Sequence, residues 1–162
     1  MSYLARALHL LSVSIWLGTV TFVSFVATPI IFRTLPQQQA GDVIGALLPV
    51  YYWAGHILGA VALVSLLAAV GFSGGWTLRT GTMGALLVVM LAANLYAGFV
   101  IQPKVHQAKA EMRAAASGPS IAPSLLLKVA FNRLHARSVQ LNAVVLIGGL
   151  FVLFLSAIAM EI

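Results

Sequence analysis

The stretch TGTMGALLVVMLAANLYAGFVIQP, residues 80–103, contains no Asp, Glu, Lys or Arg. A helix rises about 1.5 Å per residue and needs about 20 apolar residues to cross the hydrocarbon of a bilayer, so this stretch is long enough. Apolar residues fill every face of it, unlike the in-and-out alternation of a membrane strand. It therefore predicts a transmembrane helix. Windows 7–32, 43–78 and 138–160 are free of charge in the same way. Four crossings follow, and the expected fold class is all-α, an integral membrane four-helix bundle.

Composition agrees with that reading. The chain is 61% hydrophobic and only 7% charged, with a mean hydropathy of +1.02, against roughly 25% charged residues in soluble domains. The second window is too long for one simple span. Pro49 suits the first turn of a helix, and FSGGW at 72–76 reads as a turn, which places that span at 49–72. The others are expected at about 7–32, 81–102 and 136–160, forming a single transmembrane domain over 1–162. The first window exceeds the 7–15 apolar residues of a signal peptide and reads as a permanent helix. With no Cys in the chain, disulfides and thiolate ligands are excluded.

Basic residues suggest an orientation. Arg33, Lys104, Lys109, Arg113, Lys128, Arg133 and Arg137 sit on the first and third connections, whereas the opposite side has only Arg6 and Arg79. The positive-inside rule then puts the basic loops in the cytoplasm and both termini outside, in a multi-pass protein of the cell inner membrane. The net charge of +6 has the same source. Lying beside membrane ends, it points to anionic lipid rather than nucleic acid as its counter-surface. In the segment 104–135, KVHQAKAEMRAAA should extend the third helix past Pro103, and SGPSIAPS should break it. LLLKVAFNRLHAR should resume as an amphipathic interfacial helix, with Leu126, Val129, Ala130 and Leu134 on its apolar face.

Polar residues inside spans carry more information, because an unsatisfied polar group in hydrocarbon costs several kcal/mol. His135, Ser138 and Asn142 are spaced i, i+3, i+7 and share one helical face. The second span offers Tyr51, Tyr52 and His56, and the third offers Asn94 and Tyr96. Counted from the cytoplasmic ends, His56 lies about 10 Å deep, Asn94 about 12 Å and Asn142 about 9 Å. These three can converge. The plain reading is interhelical hydrogen bonding, worth about 0.6 kcal/mol per contact. The functional reading is a polar intramembrane site for a small solute, a quinone-like ring or a single metal ion, with His56 as its titratable member.

A second set lies at the other face. His9, Met83 and Met160 are expected at similar depth, and His/Met ligation suits Cu(I), although methionine is also ordinary core filling. A haem held by two of His9, His56 and His135 is disfavoured by their different depths. GHILG at 55–59 reads as a small-residue packing pattern. No nucleophile–base pair, phosphate loop or carboxylate pair supports an enzyme, since Asp42, Glu111 and Glu161 are dispersed outside the hydrocarbon.

The pieces LHLLSVSIWLGTVTFVSFVATPIIFRTLP, LLPVYYWAGHILG, QPKV and LHARSVQLN resemble, in order and spacing, the transmembrane protein 205-like family, also called domain of unknown function 4149. The matching positions are His9, Trp16, Gly18, Phe22, Phe25, Phe32, Pro49, Tyr51, Pro103, His135, Ser138 and Asn142. The resemblance implies a four-helix membrane protein of a family without an established reaction. Its animal members are associated with resistance to platinum drugs, which hints at soft-metal handling or drug export. The first span is also distantly similar to copper-resistance D-type membrane proteins and to haem-dependent protoporphyrinogen oxidases, which brings in copper or haem b as cofactors. The expectation is a protein that handles a soft metal ion or a small solute. Two alternatives stay open: a haem-binding redox protein, and a structural subunit working as a homo-oligomer or with a membrane-complex partner.

Overall fold

The computed structural model describes residues 2–72, 74–116 and 122–158. Among them there is no strand, and four long helices carry the chain. The first helix covers residues 2–34, the second Gln37–Phe72, the third residues 78–116 and the fourth Ala122–Ile158. All four are long and apolar enough to cross a bilayer, so the chain is a multi-pass membrane protein.

Two of the helices widen beside a proline. In the first, Phe22–Ala27 forms a π-helical segment just before Pro29, and in the third, Ala97–Ile101 does so just before Pro103. Proline brings no N–H and its ring crowds the carbonyl four residues back, here Phe25 and Phe99. A wider turn relieves that clash. Accordingly, Thr28 N–H donates to the Val23 carbonyl and Gln102 N–H to the Ala97 carbonyl, five residues back instead of four.

Helix ends depart from the expected spans where aqueous segments find partners. The second helix begins at Gln37, so Pro49 lies inside it and does not open it. Its added turns are anchored: Ala40 is fully buried, and Asp42 accepts from Lys109 Nζ at 2.9 Å and from Arg113. The third helix does run past Pro103, to Ala116. The expected interfacial helix is not a separate element, because the fourth helix runs unbroken from Ala122 into its span. The break expected at SGPSIAPS falls largely on residues 117–121, outside the described residues. The turn after the second helix forms as expected, with Gly74 and Gly75 at φ of 85° and 142°. Thr77 then caps the third helix, its hydroxyl accepting from Thr80 N–H while the Thr80 hydroxyl accepts from Thr77 N–H.

The first helix packs on the second and fourth, and the third packs on the same two, which closes a four-membered ring. The core contains Trp16, Val20, Tyr52, Leu66, Leu87, Met90, Val145 and Val152. Glycines permit the closest approaches. A Cβ on Gly59 would stand 2.9 Å from the Trp16 ring, and one on Gly55 2.7 Å from the Asn94 amide, so GHILG serves packing against the first and third helices. Large apolar side chains such as Ile15, Phe25, Val64, Val89, Phe151 and Phe154 are exposed around the outside. In water these would form an aggregation-prone surface, whereas in a bilayer they meet lipid tails.

Candidate functional site

Polar side chains inside the bundle gather in two layers, one toward each end. The layer toward the basic connections is built on the second helix. Tyr51 Oη donates to Asn142 Oδ1 at 3.1 Å, and Tyr52 Oη lies 2.9 Å from Ser138 Oγ. The second and fourth helices are diagonal in the ring and their backbones do not approach. Long phenols therefore do the bridging. Asn94 Nδ2 donates to the Tyr52 carbonyl at 3.1 Å, and His56 Nε2 lies 3.4 Å from the Asn94 carbonyl.

That chain joins six of the seven residues expected in the polar site. His135 does not join them. It is exposed and stacks on Phe131 with ring centroids 6.2 Å apart. Tyr51 and Tyr52 stand opposite Asn142 and Ser138, whereas His135, a turn farther out, finds its neighbour on its own helix.

His56 is the unusual member. The Asn94 carbonyl can only accept, so in the neutral ring His56 Nε2 carries the proton and Nδ1 is left as a bare acceptor. Nδ1 is buried and has no hydrogen-bond partner among the described residues. The ring stacks on Phe99 at 4.8 Å with an interplanar angle of 6°, and Trp53 meets it edge-on at 5.5 Å. Gly98 makes room, since a Cβ there would lie 3.1 Å from His56. His56 lines a cleft of about 260 Å³ between the second and third helices, together with Trp53, Phe99, Gln102 and His106. Gln102 Nε2 and His106 Nε2 are 2.9 Å apart. The spacing of Gln102 and His106, i and i+4 on the third helix, was the one available sequence signal for this part of the cleft.

The second layer lies at the end where the chain begins. His9 Nδ1 donates to the Ala62 carbonyl at 2.9 Å, and its Nε2 lies 3.3 Å from Ser156 Oγ. Ser156 Oγ donates to the Val152 carbonyl at 2.7 Å. His9 and Met83 line one cavity, while Met160 lies outside the described residues. The same cavity is lined by Arg6 and Arg79 and, among the described residues, by no carboxylate. Two fixed positive charges, with no carboxylate among the described residues to offset them, do not fit a Cu(I) ion.

Haem ligation by the expected histidines fits no better. His9 and His56 belong to different layers, and His135 is on the exterior. Among the described residues, no group of three or more His, Asp or Glu side chains is placed to hold a metal ion.

Comparison with known proteins places the chain. A family model described as a domain of unknown function, DUF4149, matches residues 11–114. An uncharacterized protein of Aquifex aeolicus is 35% identical over 104 residues, which is 64% of this chain and 70% of that protein. No solved structure matches. The family match covers most of the first three helices, with His56, Asn94 and the cleft, and stops before the fourth. The chain is a membrane protein belonging to the DUF4149 family.

Proposed function

We propose that this protein binds a small, ring-bearing amphipathic solute of the quinol type in the cleft between the second and third helices, and handles it without chemistry of its own. One observation carries this reading: the buried Nδ1 of His56, an acceptor with no partner among the described residues, on a ring stacked against Phe99 in the wall of a cleft. A buried acceptor left unsatisfied costs about 1–3 kcal/mol, and a ligand hydroxyl would recover that. Trp53 and Phe99 are more than half exposed beside it, which suits a flat ring entering from the lipid side. The Lys/Arg bias supports an inner-membrane orientation with this cleft in the cytoplasmic half.

Titration of the detergent-purified chain with a decyl-substituted benzoquinol, read by tryptophan fluorescence, tests the proposal. The expected result is a saturable change that Trp53→Phe removes and that shifts about tenfold to higher concentration in His56→Leu, the equivalent of one hydrogen bond. The quinol should bind more tightly than the quinone, because Nδ1 accepts and cannot donate. A non-saturable response, or equal affinities for wild type and His56→Leu, would overturn it.

A further inference from the structure

The cavity at the chain-start end is about 220 Å³ in volume. Its wall includes both Arg6 of the first helix and Arg79 at the start of the third, with the buried His9 and Ser156. The two arginines are the exceptions to the Lys/Arg bias of the chain. Nothing among the described residues neutralises them. Of the described acids, Asp42 is held by Lys109 and Arg113, and Glu111 accepts from Gln107, all in the basic-end parts of the second and third helices.

Arg79 Nε is moreover buried without a hydrogen-bond partner among the described residues. A guanidinium does not shed its proton, so burying part of one without a counter-charge is costly. The neighbouring hydroxyls cannot compensate. Those of Thr77 and Thr80 are engaged with each other and with the backbone in the helix cap, and a neutral hydroxyl supplies no counter-charge to a guanidinium. The positive end of the third helix adds to the same field.

We propose that this cavity binds a phosphate-class oxyanion, held between the guanidinium groups of Arg6 and Arg79. Planar guanidinium forks match phosphate oxygens two at a time, and two of them supply the charge that a phosphate group carries. Free phosphate and the phosphate of an anionic lipid headgroup offer the same chemistry, so the source is decided by experiment.

The full chain is reconstituted in phosphatidylcholine nanodiscs and titrated calorimetrically with inorganic phosphate. In parallel, native mass spectrometry scores phosphatidylglycerol retained from mixed-lipid membranes. Arg6→Gln, Arg79→Gln and, as a control at the other end, Arg33→Gln are compared after circular dichroism confirms their helicity. Arg6 is exposed, so its variant keeps the test valid should Arg79→Gln fail to fold.

Saturable phosphate binding, weakened about tenfold or more in either cavity variant and unchanged in Arg33→Gln, supports the site with a soluble ligand. Absence of phosphate binding, with phosphatidylglycerol retained by wild type and lost in the cavity variants, supports it with a headgroup. Binding of neither, or binding equal in wild type and cavity variants, overturns the proposal.

Discussion

Gly55→Ala offers the sharpest test of how the polar layer is assembled. A Cβ at this position would stand 2.7 Å from both Nδ2 and Oδ1 of Asn94 and 2.9 Å from its Cγ, inside any real carbon contact. Asn94 is 2% exposed and donates to the Tyr52 carbonyl, so it can move only by giving up that bond. Overpacking of this kind costs about 1–3 kcal/mol, and the displaced amide adds about 1. The gain in helix propensity from Gly to Ala returns about 1.

The net expectation is destabilisation by about 2 kcal/mol, measured by equilibrium unfolding in mixed micelles titrated with a denaturing detergent. Gly18→Ala is the matched control, because a Cβ there meets nothing within 4 Å, and it should be neutral or slightly stabilising. Asn94→Ala vacates the clashing volume, so the double variant should be more stable than the sum of the single changes by about 1 kcal/mol. Equal stability of Gly55→Ala and Gly18→Ala, or strict additivity in the double variant, would refute this account of the packing.

Other expectations follow from the same contacts. Asn142→Leu removes the acceptor of the buried Tyr51 hydroxyl and should cost about 1 kcal/mol in the same unfolding assay, whereas Lys128→Ala, at an exposed position, should stay within about 0.5. Asp42 lies in the part of the second helix that extends beyond the expected span. Hydrogen bonds from Lys109 and then Arg113 hold its carboxyl below the usual carboxylate range. Its folded value is depressed, so its contribution is complete above the ordinary value of about 4 and is lost as pH falls through the folded value. Melting temperatures should drop in that acid window for wild type and change less for Asp42→Asn; parallel pH profiles would contradict the clamp.

Much of the architecture was legible in the chain because hydrocarbon excludes charge so strongly that charge-free windows mark the crossings. Helix ends were less legible for a related reason. Such windows report where lipid begins, whereas a helix continues into water wherever it finds partners. The clamp of Asp42 on Lys109 and Arg113 carries the second helix back to Gln37 and leaves Pro49 in its interior. Ser138 and Asn142 were legible by periodicity, but the same periodicity included His135, which periodicity alone cannot separate from a residue one turn beyond the layer of tyrosines.

The sequence by itself determined that this is an all-helical membrane protein with four crossings, and that polar groups occupy the second, third and fourth spans. Desolvation enforces both features locally, whatever the helices touch. Only the tertiary structure decided which polar groups meet. It placed the phenols of Tyr51 and Tyr52 across the diagonal of the bundle, left His56 Nδ1 without a partner among the described residues, and brought Arg6 to the same cavity as Arg79. Those outcomes depend on how each helix is rotated about its axis. Rotation is set by close contacts between neighbours, such as Asn94 against Gly55 and Trp16 against Gly59, and no single helix encodes it alone.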